Sequence, residues 1–381
     1  MTTIITKASN AILVGRILTN QGPSIVTKTL DNNFIDITTA HFPTVSQLLN
    51  AKDPVSIVKE LTHSNKSNII GNVDEILSKQ SLLSPADLHA IKACGVTFAK
   101  SMLERVIEEH TGGDRTKAEF FRQQLTETLG DIDLSTIQPG SIESDEVRVF
   151  LKQKKLWSQY LEVGLGPDAE VFTKCQPLAS IGSGNNVGIH SCSNWNNPEP
   201  ELVLAVNNQG TIIGATLGND VNLRDVEGRS ALLLGKAKDN NASCSIGPMV
   251  RLLDDDFGMN DLKAMKISLT VEGKETDDFL LNDSSSMSLI SRDLKDLVDQ
   301  TMDEHQYPDG FFLFTGTAFS PTQDRGDTKG IGFTHHVGDI VSIGNPDIGV
   351  LVNRVIKSKD CEPWEQGIGE LMRNLSKRKL L

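Results

Sequence analysis

The feature that most constrains the fold is a succession of short apolar runs with strand character that fills the sequence after residue 163. Turn residues separate these runs, and helical periodicity is confined to two later segments, at about 288–301 and 363–376. The clearest runs are residues 202–206, 211–216, 267–271, 311–314 and 339–343. Many strands with few helices predict an α+β chain rich in β-structure, built as a sandwich or roll and not as a doubly wound sheet.

The N-terminal part also reads as β-structure. Residues 11–17, 24–27 and 34–37 are short apolar runs punctuated by turn residues, and a short helix is expected at Val45–Leu49. We therefore predict a small β-rich domain over residues 1–75.

The region between about residues 98 and 160 has helical periodicity. Asp114 is expected to cap one helix that Gly130 ends, and Ser144 is expected to cap the next helix. We assign residues 76–381 to one larger domain, in which this helical segment is an insert.

Composition excludes several classes of function. The formal net charge of -13 is opposite to that of a phosphate-reading surface and of a protein that binds anionic membranes. The five cysteines are scattered without a CxxC pair, which indicates reduced thiols. No leader pattern is visible at the N-terminus, and no run approaches the roughly 20 apolar residues of a membrane span. These features predict a cytoplasmic protein that binds neither nucleic acid nor membrane.

Two acids near the centre of the chain have an unusual setting. Glu199 and Glu201 alternate with Pro198 and Pro200 directly before the apolar run Leu202–Val206. On a strand, the two carboxylates would leave the same face roughly 6–7 Å apart. The prolines place the segment at a strand start or an edge, because they cannot donate to a sheet ladder.

A hairpin would bring a third acid to this pair. With a two-residue turn at 208–209, the returning strand places Gly218 opposite Glu199 and Asp220 opposite Asn197, so that all three acids share a face. A three-residue loop or a bulge would break this parity. A bound divalent cation would relieve the repulsion among three converging carboxylates, and oxygen-only ligands suit magnesium, calcium or manganese rather than zinc. The alternative is that they are solvated acids that protect a sheet edge from aggregation.

Taken together, several ordered segments resemble the fumarylacetoacetate hydrolase superfamily over about residues 90–356. They are Glu170–Lys174, Pro198–Leu202, Gly218–Val221 with Arg224-Asp225, Lys238 before Ile246–Pro248, Thr315–Thr317, Val337–Val341 and Ile348–Asn353. The resemblance implies a mixed β-roll of the fumarylacetoacetase C-terminal type, assembled as a homodimer or homotetramer. It also implies that Glu199, Glu201 and Asp220 bind Mg²⁺, for which Mn²⁺ or Ca²⁺ could substitute.

Within the superfamily, the chain is most similar to the dehydratases of 2-keto-3-deoxy pentonates. The segments that carry this similarity are Val226–Arg229, Leu232–Lys238 and Ser243–Pro248. The implied activity is the conversion of 2-keto-3-deoxy-xylonate or -arabinonate to 2,5-dioxopentanoate through a metal-stabilised enolate. One rival function is a hydrolase or decarboxylase of acylpyruvates or other β-diketo acids at the same metal site. Another is a non-catalytic protein that keeps the fold for binding, against which the full set of metal-binding acids counts.

One departure from the family pattern separates the dehydratase from the hydrolase. The hydrolases of the superfamily carry a histidine base shortly after a Gly-Val-Asn-Tyr turn, whereas here Gly95-Val-Thr-Phe98 is followed by Ser101. Loss of that imidazole favours elimination of water over hydrolysis.

The resemblance also implies roles for the remaining site residues. Glu170 and Lys238 are the acid–base candidates, and which of them removes the C3 proton stays open, as does a Schiff base through Lys238. A nearby dication should lower the pKa of Lys238. Ser101 and Thr317 are expected to bind substrate oxygens and Lys174 the substrate carboxylate. The alternatives without a catalytic or binding role are an exposed lysine at 238, a surface acid at 170 and an ordinary turn residue at 317.

Two further patterns are interpreted as structural. His335-His336 has no third metal ligand nearby in the sequence, so we expect no metal site there. The glycine-rich stretch 182–188 lacks the strand-then-helix context and the lysine of a phosphate loop, and it is expected to be a plain loop.

Overall fold

The computed structural model describes residues 4–130, 132–273, 277–325 and 330–381. The strands within these ranges are β1 (Ile4–Ile5), β2 (Leu13–Thr19), β3 (Gly22–Lys28), β4 (Asn33–Asp36), β5 (Ile69–Asn72), β6 (Ala90–Gly95), β7 (Glu170–Cys175), β8 (Asn186–Ile189), β9 (Asn196–Asn197), β10 (Pro200–Val206), β11 (Ile212–Asp220), β12 (Asn222–Leu223), β13 (Cys244–Leu252), β14 (Lys266–Glu272), β15 (Leu280–Ser286), β16 (Phe311–Phe314), β17 (Ile340–Asn345) and β18 (Gly349–Lys357).

The helices of the same ranges are mostly short. They are α1 (Val45–Leu49), α2 (Pro54–Ser64), α3 (Val73–Leu77), α4 (Ala99–His110), α5 (Ala118–Leu129), α6 (Ile142–Gln153), α7 (Gln159–Leu165), α8 (Arg224–Glu227), α9 (Leu234–Lys238), α10 (Met259–Ala264), α11 (Leu294–Met302) and α12 (Ile368–Lys377). None of these described helices is long and apolar enough to cross a bilayer.

Two large sheets organise the strands. The first has ten strands in the order β5-β4-β3-β2-β13-β11-β10-β16-β6-β7. The second has six, in the order β1-β18-β17-β14-β15 with β8 beside β18, and β9 pairs with β12 in a small ribbon. Most pairs are antiparallel, while β6 with β16 and β8 with β18 are parallel. The predicted fold class, a mixed and β-rich α+β architecture, is confirmed.

The centre of the ten-stranded sheet is buried on both faces. Along β10, Leu202 and Leu204 enter one hydrophobic cluster, whereas Val203 and Ala205 enter another on the opposite face. Strands covered on both sides read as continuous apolar runs, which explains the sequence Leu202–Val206. The acids that precede this run are therefore held at the end of a rigid, buried strand.

The N-terminal strands β2, β3 and β4 and the helix α1 lie where the sequence predicted them. They continue the ten-stranded sheet, because Val14 of β2 pairs with Val250 of β13. The strand β1 instead joins the second sheet through Ile4 and Val350. The division of the chain at residue 75 stays a prediction.

The helical insert forms as α4 to α7, with one corrected boundary. Gly130 ends α5 with a φ of 55°, and Asp114 caps the 3-10 turn that leads into α5. Ser144 does not cap α6: the cap is Ser141, whose side chain accepts from the Ser144 N–H at 3.1 Å. The apolar spacing alone could not show that α6 begins one turn earlier, because Ile142 is exposed.

The later helices were only partly predicted. The segment at 288–301 becomes a 3-10 turn at Met287–Leu289 followed by α11, and the C-terminal helix begins at Ile368. Helices α8, α9 and α10 were missed because each has six residues or fewer, too few for a periodic signal.

Candidate metal centre and active site

The hairpin of β10 and β11 carries the three acids on one face, through a register that differs from the predicted one. Glu201 lies opposite Gly218, and the Asp220 N–H donates to the Glu199 carbonyl at 3.1 Å. The predicted partners, Gly218 for Glu199 and Asn197 for Asp220, are therefore wrong by two residues. Asn197 pairs with a residue of β12 instead.

Two irregularities cause this shift in register. Each one alone would change the face on which Asp220 lies, but the two together leave it on the predicted face. The Asn207 N–H donates to the Thr211 carbonyl at 3.0 Å, which makes the hairpin loop one residue longer than predicted. A β-bulge after Ala205 adds one more residue to β11. Either change alone would turn Asp220 to the opposite face, because side chains alternate along a strand. Together they restore the shared face.

The three carboxylates form a compact, buried group. Glu199, Glu201 and Asp220 are each about 1% exposed, and each offers an oxygen within 4.8 Å of the oxygens of the other two. Glu201 accepts from the Gly316 N–H at 2.8 Å and from the Thr317 hydroxyl at 3.1 Å. The interpretation as solvated edge acids is therefore wrong, since all three side chains are buried.

Three cationic side chains surround this group. The Lys238 ammonium contacts Glu199 and lies 3.1 Å from Asp220 Oδ2. The Lys174 ammonium lies 2.7 Å from Asp220 Oδ1, and Arg105 pairs with Glu199. Glu201 has no cation among the described residues within ion-pair distance, so its partners are the neutral N–H and O–H donors.

The pKa values reflect this uneven pairing. Burial, reinforced by the charges of Asp220 and Glu199, raises the pKa of Glu201 well above its usual range. Burial also opposes ionisation of Asp220, but Lys174 and Lys238 together lower the pKa of that carboxyl. For Lys238, burial favours the neutral amine, yet Asp220 and Glu199 raise its pKa above the ordinary value. The sequence prediction that a nearby dication lowers the pKa of Lys238 concerns the site with a cation bound, and it stays a prediction.

The donor set fits a hard divalent cation. All the candidate ligand atoms are carboxylate oxygens, which magnesium, calcium and manganese prefer. They lie close together in a buried place where one of them, Glu201, forms no ion pair with the described residues, and burial and the charges of Asp220 and Glu199 outweigh the attraction of Lys238. A dication at this point would offset the burial and the like-charge repulsion that together raise the pKa of Glu201.

Glu170 reaches the same place from the neighbouring edge of the sheet. It begins β7 directly opposite Gly95 of β6. A Cβ atom at Gly95 would overlap with Glu170 Oε2, so the absence of a side chain at 95 makes room for the carboxylate. Burial raises the pKa of Glu170.

A small cavity joins these groups. Ser101 and Thr317 both line it, and the Ser101 hydroxyl donates to the Phe98 carbonyl at 2.9 Å. The cavity has a volume of about 10 Å³. Its lining residues are Cys94, Gly95, Val96, Ser101, Arg105, Glu170, Phe172, Glu199, Asp220, Glu227, Lys238 and Thr317. Space for a substrate therefore requires side chains to move.

The structure places Lys174 behind the site. Its side chain is fully buried, and its ammonium contacts Asp220 Oδ1, the Val221 carbonyl at 3.4 Å and the Lys238 carbonyl. It is not among the residues that line the cavity. The other seven predicted site residues all lie at the cavity or on the metal-binding face.

Two residues of the site were missed by the sequence interpretation. Arg105 follows Ser101 by four residues on α4, so both face the cavity. Glu227 ends α8, and burial raises its pKa to about 7 despite an ion pair with Arg105 at 2.9 Å. The spacing of four residues could have indicated Arg105, but no sequence pattern brings α8 to this helix.

The two sequence patterns interpreted as structural are the pair His335-His336 and the glycine-rich stretch 182–188. His335 Nδ1 lies 3.3 Å from Asp339, and His336 Nδ1 lies 3.1 Å from Asp277. Neither histidine belongs to a metal-binding group among the described residues. The stretch 182–188 is only partly the predicted loop, because residues 182–185 form a turn and residues 186–188 already belong to β8; no helix follows it directly.

The fold and this site define a known class of protein. Residues 161–356 match the family model described as "Fumarylacetoacetate (FAA) hydrolase C-terminal". The chain belongs to the fumarylacetoacetate hydrolase family. The match contains seven of the eight predicted site residues, while Ser101 precedes it.

Curated relatives carry dehydratase names. The chain is 31% identical over 204 residues to a probable 2-keto-3-deoxyxylonate dehydratase of Haloferax volcanii. This alignment covers 54% of this chain and 66% of the relative. It is 29% identical over 192 residues to a 2-dehydro-3-deoxy-D-arabinonate dehydratase of Saccharolobus solfataricus, which covers 50% of this chain and 59% of the relative. The matches thus span less than two thirds of either relative.

Solved structures show the same fold over most of the chain. A 2-keto-3-deoxy-D-arabinonate dehydratase complexed with magnesium and 2,5-dioxopentanoate superposes with a TM-score of 0.60 at 19% identity, covering 91% of this chain and 99% of that one. A 5-carboxymethyl-2-hydroxymuconate delta-isomerase from Mycobacterium smegmatis superposes with a TM-score of 0.52, also at 19% identity, covering 91% of this chain and 98% of that one.

Proposed function

We propose that the protein is a magnesium-dependent dehydratase that converts a 2-keto-3-deoxy pentonate, xylonate or arabinonate, to 2,5-dioxopentanoate. The observation that carries the proposal is that Lys238 and Glu170 share one cavity with Glu199 and Asp220, two of the three metal-binding carboxylates. The names of the two curated relatives agree with it, as does the magnesium and product complex of the structural neighbour.

Glu199, Glu201 and Asp220 would hold the metal. When bound, Mg²⁺ acts as a Lewis acid toward a 2-keto acid and makes the C3 protons easier to remove. Mn²⁺ or Ca²⁺ would satisfy the same oxygen ligands.

Glu170 and Lys238 are the groups that can move protons in the cavity. Dehydration breaks the C3–H and C4–O bonds, forms a C3–C4 double bond and releases water, so it needs one group to accept the C3 proton and one to protonate the leaving hydroxyl. Two proton shifts, the second a keto–enol tautomerisation, then give 2,5-dioxopentanoate. Ser101 and Thr317 line the cavity as hydroxyl partners for substrate oxygens.

The cavity supports elimination more than hydrolysis. No histidine occurs among its described lining residues. By the family resemblance, Ser101 stands where the hydrolases carry their imidazole. Hydrolysis of a β-diketo acid would need another base to activate water.

The setting of the reaction is also part of the proposal. The five free cysteines and the acidic net charge support a reduced, cytoplasmic location. The family resemblance supports a homodimer or homotetramer. Residues 1–75 are proposed to be a small β-rich N-terminal domain, and residues 76–381 the catalytic domain.

The decisive experiment follows product directly. Purified protein with Mg²⁺ is given 2-keto-3-deoxy-xylonate or -arabinonate, and 2,5-dioxopentanoate is measured. We expect turnover that EDTA abolishes and that is lost in Glu199→Gln, while the matched surface change Glu304→Gln has no effect. Turnover of an acylpyruvate with no product from either sugar acid would overturn the proposal.

A further inference from the structure

Arg105 is the one arginine among the described residues that line the cavity. It lies on α4 four residues after Ser101, and its side chain is only 9% exposed. A buried guanidinium at a metal site is unusual unless it has a partner to bind, because removing the charge from water is unfavourable.

The guanidinium is fixed from one side. Its NH1 lies 2.6 Å from Glu108 and 2.9 Å from Glu227. Glu108 is in turn held by Arg224 at 2.6 Å. These contacts orient the remaining NH2 group toward Glu199, at the metal-binding face.

The Arg105 NH2 group and the Lys238 ammonium share the same partner, the Glu199 carboxylate. Glu199 is also neutralised by Lys238. A divalent cation bound by Glu199 would supply the positive charge that the two side chains now provide, and Arg105 would then be able to pair with an anion beside the cation. The cavity is too small for a sugar acid while Arg105 and Lys238 remain against Glu199.

We propose that Arg105 recognises the carboxylate of the 2-keto acid substrate. This inference rests on the proposed function in taking a 2-keto acid as the ligand. Arginine suits the role because its planar donors match a carboxylate and keep their charge at all working pH values.

The geometry argues against Lys174, the residue to which the sequence assigned this carboxylate. An ammonium has three donors, and those of Lys174 have three partners: Asp220 and the carbonyls of Val221 and Lys238. Lys174 therefore holds the metal ligand Asp220 in place, with no donor left for a substrate.

The test compares two ligands of similar size, one anionic and one neutral. Pyruvate and its neutral amide, pyruvamide, are titrated into Mg²⁺-loaded protein by calorimetry, since neither has a C4 hydroxyl to lose. We expect the wild type to prefer pyruvate by about 10- to 100-fold, the size of one charge-assisted hydrogen bond. Arg105→Gln should reduce this preference by about 10-fold or more and leave only the part that the charge of Mg²⁺ contributes, whereas Arg105→Lys should keep more of it.

Lys174→Met and Arg148→Gln are the comparison variants. Lys174→Met should weaken Mg²⁺ binding, measured in the same titrations, but retain the preference for pyruvate. Arg148 pairs with Asp145 and Glu162 on the insert, so Arg148→Gln should leave affinity and preference unchanged.

The outcomes separate this inference from the proposed function. An unchanged preference in Arg105→Gln, or its loss in Lys174→Met, overturns the role of Arg105 even if sugar acids are dehydrated. An Arg105-dependent preference without dehydration supports carboxylate recognition and overturns the dehydratase. A wild type that does not prefer pyruvate also overturns the inference.

Discussion

Gly95 and Glu170 face each other across β6 and β7, and the carboxylate of Glu170 occupies the space that a side chain at 95 would fill. The acid is thereby directed into the cavity and not along the sheet surface. A residue without a Cβ is needed at 95 for this packing. Gly95 belongs to the Gly-Val-Thr-Phe98 segment that leads into α4, so one short stretch positions both Glu170 and the helix that carries Ser101.

The first prediction concerns this pair. Gly95→Ala should displace the Glu170 carboxylate and reduce kcat by about 10²- to 10⁴-fold, the range typical of a lost proton-transfer group. Glu170→Gln should give a loss of similar size. Steady-state kinetics on the sugar acid measure both.

Gly258→Ala is the control for this change, because a Cβ at 258 meets no atom within 4 Å. Its kcat should equal that of the wild type. Full activity of Gly95→Ala would show that Glu170 does not depend on the space at 95.

The second prediction concerns the metal. A ligand that binds only the folded protein stabilises it by about 2.7 kcal/mol at 100 times its Kd. Mg²⁺ should therefore raise the Tm of the wild type, and EDTA should reverse the shift. Glu201→Gln should abolish the Mg²⁺-dependent shift, because the variant loses one of three carboxylate ligands. Thermal melts across a Mg²⁺ titration decide this, and a shift of wild-type size in the variant would contradict the metal site.

The third prediction concerns acid stability at a place remote from the cavity. Burial opposes ionisation of Asp339, but hydrogen bonds from His335 and Arg325 hold its pKa at about 2. A folded-state pKa below the unfolded value gives stability that is fully present above about pH 4 and is lost as the pH falls toward 2. A shift of this size corresponds to about 2.5 kcal/mol.

Urea unfolding of wild type and Asp339→Asn between pH 7 and pH 2 tests this. The difference in unfolding free energy between the two proteins should be largest at pH 7 and should shrink by about 2.5 kcal/mol below pH 4. Asp283→Asn, at a partly exposed position of β15, should differ from the wild type by a small and constant amount. A difference for Asp339→Asn that does not change with pH would refute the ion pair as the cause.

The fourth prediction concerns the charged network that supports Arg105. Arg224 is 1% exposed, contacts Glu104 at 2.8 Å and Glu108 at 2.6 Å, and stacks 4.3 Å from the Trp195 ring. Arg224→Gln should destabilise the fold by about 3–5 kcal/mol, because it leaves buried carboxylates without their partner. Chemical denaturation measures the loss.

Arg148→Gln is again the matched change, at a partly exposed arginine with two acidic partners. Its effect should stay below about 1 kcal/mol. An equal loss of unfolding free energy in Arg224→Gln and Arg148→Gln would mean that burial of the ion pairs around Arg224 does not contribute to stability.

The hairpin illustrates how far sequence reasoning reached. The shared face of Glu199, Glu201 and Asp220 was predicted correctly from a register that was wrong by two residues. The loop and the bulge each changed the pairing by one residue, and neither has a sequence signal of its own. Side chains alternate between the two faces of a strand with a period of two. A register error of two residues therefore leaves each acid on the predicted face but gives it a different partner on the other strand.

The sequence by itself determined what depends on near neighbours. The strand runs, the helix Val45–Leu49, the helix end at Gly130 and the residue types of the metal-binding acids all follow from spacing and side-chain chemistry. The family resemblance rested on the same local segments, and the family match confirmed it.

Only the tertiary structure decided which charges meet. Arg105 and Glu199 are separated by 94 residues, and Lys174 and Lys238 by 64. Contacts of this kind depend on how α4, α8 and α9 pack on the sheet, and the pKa of a buried group depends on those contacts and not on its neighbours in the chain. The tertiary structure therefore placed Arg105 at the cavity and Lys174 behind Asp220.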